Sequence, residues 1–493
     1  MKKWLKRHQK IIFWSAFGLL LIVWTLSRFY NLADTWLFFG DNARDYLAVY
    51  NFRYHQQMMW LGPQNSATPL SQSVFYFYLL TPLLLASNFA FFANQLTLLI
   101  FTWTIFFLCA RLVRKKPVLY AGFFITVLLF LFYPQSILQS RDVWNPSFAW
   151  QPLLLAFFLW QSRDELSARL KHCLEFLIGV LLAFSVSMSF VFVPILVAFL
   201  LLIIFSKISW QKYLLGCVGG LLGFFSPMLI FELRHGWQIT SRFFSSLSGD
   251  MVRINSEGGG LDLLSKINDL GVLFADQFWI LYVLLIICVV LAILQFKKNR
   301  SLNLFLAATG SFVIVLVISF LFPVRMHAHY VWTLFVCLVL LVATAPKKIN
   351  LAMAFLLLVF WLPNSVKIFT QTILPPYTFA QLETCAQKIC QQHNEPLFVA
   401  LESPSHNHFG NEFMFSLAKN GCTVLDIGTV VGQVGASASE SAKTMIIFAR
   451  DSSYVQGKTS FYELSLFGDH EASVATTGVC SERLAYTVLV KDW

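Results

Sequence analysis

Apolar residues recur along the chain in runs that are long enough to cross about 30 Å of hydrocarbon. The first run, residues 11–27, follows a short basic segment. With it, the runs predict eleven membrane crossings, or twelve if residues 74–92 also cross. The other ten runs lie near residues 94–112, 118–134, 148–160, 173–188, 190–206, 213–231, 274–296, 302–322, 330–345 and 350–368. The pattern therefore predicts an all-α polytopic membrane protein.

Short basic clusters between these runs predict the orientation of the chain. Lys and Arg accumulate in cytoplasmic loops, and the clusters lie at residues 111–116, 163–171, 207–212, 297–300 and 347–348. The first run has features of a signal peptide, but no small-residue cleavage site follows it before Trp36, so we interpret it as a retained helix. An odd number of crossings from a cytoplasmic N-terminus places the C-terminal tail outside. We expect a multi-pass protein of the plasma membrane.

The apolar run at residues 74–92 does not fit this alternation. Counting it as a full crossing would place the basic cluster at 111–116 outside the cell. The run contains Pro82 and is rich in Tyr and Phe. We therefore expect it to dip into the outer leaflet or to lie along it.

Polar residues collect in the predicted outer loops. The loops are a long first one at 28–93, one with Arg141 and Asp142, one from Glu232 to about Leu273, and a short one from Pro323 to His329. Any chemistry of the membrane part is therefore expected on the outer face.

The composition changes after about residue 370 to that of a soluble domain. Residues 1–370 form the predicted membrane domain, and residues 371–493 form a predicted extracytoplasmic α/β domain. Its predicted helices lie at 379–392 and 412–419, and its predicted strands at 397–401, 423–426, 444–449 and 486–490.

Four cysteines lie in this tail, and they allow up to two disulfides in three pairings. Cys385 and Cys390 are five residues apart on one predicted helix. We therefore favour a link between Cys422 and Cys480 over that local pair. Unbonded, buried thiols are the alternative.

Composition and charge exclude some classes of function. Hydrophobic residues make up 57% of the chain and charged residues 12%, and the formal net charge is +11. The basic residues fall in short clusters rather than along one polar face, so nucleic acid is not an expected partner. No phosphate-binding glycine pattern lies at a strand-to-helix junction, which argues against a nucleotide-driven pump.

Asp41, Arg44 and Asp45 follow the first apolar run, in a segment from Asn42 to Trp60 whose apolar residues are three to four apart. This spacing predicts an amphipathic helix on the membrane surface, with the three charged residues in its first turn. In one interpretation Asp41 is an N-cap and Asp45 a solvated surface residue. In the other, Asp41 is a general base beside a lipid headgroup.

The order of motifs around Asp41 resembles the GT-C superfamily of integral-membrane glycosyltransferases, and within it the protein O-mannosyltransferase and aminoarabinose transferase group. The resemblance covers roughly residues 1–370, and the tail adds no recognisable family. The motifs are Asp41 with Ala43-Arg44, then Gly62-Pro63, the aromatic run Phe75-Tyr76-Phe77-Tyr78-Leu79-Leu80 with Pro82, Ser140-Arg141-Asp142-Val143-Trp144-Asn145-Pro146, and Pro227 followed by Phe231-Glu232-Leu233-Arg234-His235-Gly236.

The resemblance implies a GT-C fold with about 11–12 transmembrane helices. It also implies transfer of one sugar from a polyprenyl-phosphate carrier to a glycan, lipid or protein acceptor on the outer face, with inversion at the anomeric carbon. The catalytic Asp of the family corresponds to Asp41. Relatives often carry an acidic residue directly after it where this chain has Asn42, so Asp45 is a candidate for the second carboxylate.

Loss of the sugar from such a carrier adds negative charge to the phosphate, so the site needs nearby cations. Arg suits this task because its planar fork bonds two oxygens at once. We expect Asp142 to orient Arg141 or another cation, and Glu232 to orient Arg234, although simple salt bridges or lipid-contacting residues would look the same. The candidates for binding the donor phosphate or the substrate are Arg44, Asp45, Arg141, Asp142, Glu232, Arg234, His235, Arg325, His327 and His329.

His327 and His329 also invite a metal interpretation. Side chains two apart on extended backbone share a face, and two imidazoles with a carboxylate can hold Zn²⁺ or Mn²⁺. The spacing by itself is weak evidence. We favour hydrogen bonding to phosphate and expect no cofactor.

Two other functions compete with a glycosyltransferase. A transporter or flippase of lipid-linked saccharides also needs many helices and a charged cavity, but such proteins usually show internal repeats and midplane charges. We find no such repeat, and the polar residues cluster at the outer rim. A membrane anchor that presents the tail domain would leave the outer-loop charges without a role.

Overall fold

The computed structural model describes residues 2–36, 38, 40–63, 70–114, 119–163, 167–205, 210–247, scattered residues between 283 and 317, 332–344, 347–370, 375, 377–402, 410–425, 442–449, 467 and 472–491. The membrane part is helical. Its helices are α1 (Lys2–Phe29), α2 (Leu32–Thr35), α3 (Asp41–Tyr54), α4 (Phe75–Ala86), α5 (Ala93–Val113), α6 (Tyr120–Phe132), α7 (Pro134–Arg141), α8 (Trp150–Ser162), α9 (Ala168–Met188), α10 (Val193–Phe205), α11 (Gln211–Arg234), α12 (Gln238–Leu247), α13 (Trp332–Thr344) and α14 (Lys347–Thr370).

Five of these described helices are long and apolar enough to cross a membrane, namely α1, α5, α9, α11 and α14. Helices α6 and α7 meet at an angle of 64° and could form one further, broken span. The break lies at Pro134, which has no N–H for the α-helical ladder. The predicted crossings at 274–296 and 302–322 lie almost wholly outside the described residues.

Close approach and aromatic stacking hold the spans together. A Cβ atom at Gly179 on α9 would lie 2.2 Å from the carbonyl oxygen of Tyr213 on α11, so only glycine permits this contact. In the centre, the ring of Trp150 on α8 lies 4.1 Å from that of Phe130 on α6 and 6.2 Å from that of Trp332 on α13. These contacts fix the spans that carry the polar loops.

Helix α4 begins and ends beside α3. The Tyr76 hydroxyl, in its first turn, donates to Asp45 on α3. The ring of Phe89, just after its end, lies 6.4 Å from that of Tyr46 and 5.8 Å from that of Tyr50, both on α3. A helix of 12 residues is about 18 Å long, which is too short to cross about 30 Å of hydrocarbon. This length favours the placement expected for the run at 74–92.

The tail is a small α/β domain, as predicted. It consists of α15 (Phe379–Gln392), β1 (Leu397–Leu401), α16 (Asn411–Lys419), β2 (Thr444–Ala449), β3 (Ala472–Ser481) and β4 (Leu484–Lys491). The strand order is β1-β2-β4-β3, with β1 and β2 parallel and the other pairs antiparallel. In the described part of the predicted strand at 423–426, only a bridge between Val424 and Leu397 forms, and β3 was not predicted.

The disulfide expectation was wrong. The tail pairs Cys385 with Cys480 and Cys390 with Cys422. Five residues turn an α-helix by about 500°, so Cys385 and Cys390 point to different sides of α15. Each therefore reaches its own partner, one on β3 and the other beyond α16.

The tail rests on the helix that follows the first span. Phe415 on α16 lies 5.6 Å from Phe38 and 5.4 Å from Tyr46 by ring centroids. The hydroxyl of Tyr50 donates to the carbonyl of Ala418 at 2.9 Å. The expected surface helix from 42 to 60 is therefore wrong: α3 ends at Tyr54, and its apolar side faces α4 and the tail rather than lipid.

Candidate active site

Helix α3 presents its first acidic residue to solvent. Gly40 is the N-cap, with a positive φ of 56°, and Asp41 is the first helical residue. The N-cap interpretation of Asp41 is therefore wrong. Its carboxylate is 47% exposed and accepts a hydrogen bond from the Arg44 guanidinium one turn later.

The Arg44 guanidinium is held between two carboxylates. Its Nη1 donates to Asp41, while Nε and Nη2 donate to Oδ1 of Asp45 at 3.1 and 2.7 Å. The side chain is only 13% exposed. An arginine carries five N–H donors, so these bonds leave two, one on each terminal nitrogen. Among the described residues, neither of these two N–H groups has an acceptor, so both are available to a ligand.

Asp45 is fully buried beneath Arg44. Its second oxygen, Oδ2, accepts a hydrogen bond of 2.6 Å from the hydroxyl of Tyr76 on α4. Burial raises the pKa of Asp45 to about 6, although Arg44 and the Tyr76 hydroxyl oppose the shift. The interpretation of Asp45 as a solvated surface residue is therefore wrong. Its carboxylate holds the guanidinium in place.

Asp142 reaches the same helix turn from the end of α7. Its Oδ1 accepts a hydrogen bond from the side-chain amide of Asn42. Desolvation by the surrounding protein and the charges of Asp41 and Asp45 raise the pKa of Asp142 to about 7, although the residue is exposed at the surface. The expectation that Asp142 orients Arg141 was wrong, because its partner is an amide.

Arg141 points away from this cluster. Its guanidinium donates to the hydroxyl of Thr35 and, at 3.5 Å, to the carbonyl of Asn31, and its own carbonyl accepts from Gln95 at 2.8 Å. These contacts fasten α7 to α2 and α5. Arg141 thus positions its neighbour Asp142 through the backbone, and its guanidinium is not beside Asp41.

Glu232 also has a structural role that the sequence did not indicate. Its two oxygens accept the backbone N–H groups of Ile239 and Thr240, both at 2.8 Å, at the start of α12. The expected pairing with Arg234 was therefore wrong. Arg234 lies over the ring of Trp60 at 5.2 Å, and His235 stacks on the ring of Phe231 at 4.0 Å and contacts its carbonyl.

The remaining candidates, Arg325, His327 and His329, lie outside the described residues. The structure thus brings together Asp41, Arg44, Asp45 and Asp142. Sequence reasoning missed the buried partners Tyr76 and Asn42. The aromatic run at 75–80 did contain Tyr76, but nothing in that run distinguishes a hydroxyl aimed at a carboxylate from one at a lipid interface.

Another arginine, Arg28 on α1, is buried. Arg28 is 2% exposed and stacks over Trp24 at 4.0 Å. It adjoins a cavity of about 20 Å³, which has room for about one water molecule. Gln95, Gln139 and Ser140 are among the residues that line this cavity. Neither Asp142 nor Asp41 is among the residues that line it.

Solved structures of ArnT and of an archaeal oligosaccharyltransferase are among those that resemble this chain. ArnT from Cupriavidus metallidurans, bound to undecaprenyl phosphate, matches with a TM-score of 0.62 at 11% identity over 98% of both chains. The oligosaccharyltransferase AglB from Archaeoglobus fulgidus, in complex with an inhibitory peptide and a dolichol-phosphate, matches with a TM-score of 0.52 at 12% identity over 89% of this chain and 70% of that one. The apo form of the Archaeoglobus fulgidus oligosaccharyltransferase gives 0.54 at 11% identity, over 90% and 70%.

Sequence comparison adds nothing to this result, since no protein-family model and no curated protein matches the chain. At such low identity the structural likeness establishes the fold. The expected fold class is confirmed: this chain has the GT-C fold seen in ArnT and AglB, with a small C-terminal α/β domain.

Proposed function

We propose that this protein is a membrane glycosyltransferase that moves one sugar from a polyprenyl-phosphate donor to a hydroxyl group of an acceptor. The fold supports this proposal, because two proteins that share it were crystallised with undecaprenyl phosphate and with a dolichol-phosphate. The acceptor is a glycan, a lipid or a protein.

The observation that carries the proposal is the pairing of Asp41 with Arg44 on one turn of α3. In the reaction the acceptor oxygen bonds to the anomeric carbon while the bond from that carbon to the phosphate oxygen breaks. The acceptor proton passes to Asp41 as general base. The phosphate leaves with a second negative charge, which the two remaining N–H groups of Arg44 stabilise. Attack from the face opposite the phosphate inverts the configuration.

The tail supports an extracytoplasmic location for this chemistry. Disulfides persist in oxidising compartments, and the tail holds two of them. Because the tail packs on α3, it lies on the same side of the membrane as Asp41. The N-terminus then lies in the cytoplasm, in agreement with its basic residues.

The test is the Asp41→Asn variant in purified membranes, with transfer of radiolabelled sugar from polyprenyl phosphate as the readout. Loss of a general base lowers the rate by about 10²- to 10⁴-fold. Asp34→Asn is the matched control, since it removes an exposed acid from the neighbouring helix α2. It should transfer sugar at the wild-type rate.

Binding of undecaprenyl phosphate to the Asp41→Asn variant separates catalysis from donor binding. We expect the variant to retain the lipid, because Arg44 keeps its bonds to Asp45. Undiminished transfer by Asp41→Asn would refute Asp41 as the base.

A further inference from the structure

We propose that Tyr76, acting through Asp45, is a positioning residue that aims Arg44 at the phosphate of the lipid donor. This inference rests on the proposed function and deepens it. It assigns a role to an aromatic residue on α4, a helix that carries no other side chain bonded to the charged cluster among the described residues.

The contacts form a chain of three side chains. Tyr76 donates its hydroxyl to one oxygen of Asp45 at 2.6 Å, and the other oxygen accepts two N–H groups of Arg44 at 3.1 and 2.7 Å. The three hydrogen bonds that link these side chains are all buried or partly buried. Asp45 and Tyr76 are both 0% exposed. The carboxylate therefore has no competing water and fixes the plane of the guanidinium.

The plane matters because a long side chain loses rotamer freedom when it binds a ligand. Asp45 holds the Nε and Nη2 edge, so the two N–H groups that remain point outward from Nη1 and Nη2. A phosphate accepts such a pair through two oxygens. Arg44 is therefore set before the donor arrives.

Tyr76 is itself held firmly. Its ring lies 5.8 Å from that of Phe148. Ser73, just before α4, bonds to two spans. Its backbone N–H donates to the carbonyl of Ser187 on α9 at 3.1 Å, and the Ser73 hydroxyl donates to the carbonyl of Phe224 on α11 at 2.7 Å. The start of α4 thus bonds to α9 and α11 through Ser73, and to Asp45 beneath the guanidinium through the hydroxyl of Tyr76.

Tyr76 favours the ionised form of the Asp45 carboxyl group. The groups that act on Asp45 are Arg44 and Asp41 on α3, Tyr76 on α4 and Asp142 after α7. The tyrosine hydroxyl stabilises the ionised carboxylate, so its loss raises the pKa of Asp45 further above the usual range. A protonated Asp45 accepts hydrogen bonds from Arg44 far less strongly.

The experiment measures binding of undecaprenyl phosphate to the full-length protein in detergent micelles by native mass spectrometry, at pH 7 and pH 9. Tyr76→Phe removes one hydroxyl and keeps the ring. We expect about tenfold weaker binding than wild type at pH 7. At pH 9 the carboxylate ionises again, so most of the difference should disappear.

Tyr78→Phe is the matched control on the same helix. Its hydroxyl donates to the carbonyl of Met59 at 2.7 Å and does not touch the charged cluster. This variant should bind as wild type does at both pH values. The route through the carboxylate is tested by Asp45→Asn alone and combined with Tyr76→Phe, and the second change should add no further loss.

The inference is overturned if Tyr76→Phe binds as wild type does at pH 7, if its defect is the same at both pH values, or if the losses of Tyr76→Phe and Asp45→Asn multiply. Failure of the proposed function looks different. In that case the wild-type protein itself either retains no undecaprenyl phosphate or transfers no sugar from it.

Discussion

Arg28 is buried and Arg44 is only 13% exposed, and these two arginines close to the start of the chain are satisfied in opposite ways. Arg28 places all five N–H donors on neutral oxygens, which belong to Ser27, Phe130, Leu131, Ser136 and Ser140. Arg44 places three donors on the carboxylates of Asp41 and Asp45. All N–H donors of Arg28 are therefore used within the protein, whereas two N–H donors of Arg44 have no acceptor among the described residues and are available to a ligand.

The neutral partners of Arg28 explain its place in the fold. In a continuous helix the carbonyl of Phe130 would accept from the N–H of residue 134, but Pro134 has none. Arg28 bonds this carbonyl at 3.1 Å and that of Leu131 at 3.0 Å. The guanidinium thus completes the broken end of α6. A saturated buried arginine stabilises architecture, whereas an unsaturated one beside carboxylates indicates a site.

Of the variants that test this comparison of the two arginines, Arg44→Lys should have the largest effect. Lysine keeps the charge but loses the fork that Asp45 holds, so we expect transfer to fall about 100-fold. The melting temperature should change little. Arg53→Lys, on an exposed position of the same helix, should leave the rate unchanged. If Arg44→Lys were as active as wild type, the role of Arg44 in the reaction would be contradicted.

Arg28→Met should show the reverse pattern. It leaves two buried carbonyls unsatisfied, and the free energy of unfolding should fall by about 2 kcal/mol. Thermal unfolding in detergent measures this loss. Transfer per folded molecule should stay near that of wild type. A normal melting temperature with no transfer would make Arg28 part of the site and would contradict the comparison.

A smaller effect, dependent on pH, is expected for Asp142→Asn. The pKa of Asp142 is raised from 3.8 to about 7, so the folded chain binds this proton more tightly than the unfolded chain does. Its contribution to stability is therefore full below about pH 4 and is lost as the pH rises to about 7. The asparagine variant avoids this loss.

We therefore expect Asp142→Asn to unfold at a higher temperature than wild type at pH 8 and at the same temperature at pH 4. The gain is on the order of 1 kcal/mol once solvent screening is allowed for. Arg28 has no described carboxylate partner, so the loss in Arg28→Met should be independent of pH in this interval. A gain for Asp142→Asn that is equal at both pH values would contradict this account.

Much of the fold followed from the sequence because periodicity and burial are local signals. The tail helix at 379–392 and the strand at 397–401 have the predicted limits. The site was harder to predict, because the hydrogen bonds that form it join residues far apart in the chain. Asn42 and Asp142 are 100 positions apart, and Arg28 and Ser140 are 112 apart.

Two of the errors at the site share one cause. Arg141 and Glu232 were assigned to polar outer loops, yet both lie in the last turn of a helix. Their side chains bond to nearby structure, that of Arg141 at α2 and that of Glu232 at the start of α12. Charge pattern does not reveal which backbone groups need a partner. Asp41 and Arg44 were found because they directly follow the first apolar run, in the first turn of a predicted helix.

The most direct measurement is an experimental structure of the protein with undecaprenyl phosphate. The account predicts that the phosphate oxygens accept hydrogen bonds from Nη1 and Nη2 of Arg44, with Asp41 facing the open side of the phosphate. A phosphate bound at Arg28, or anywhere out of reach of Arg44, would contradict it.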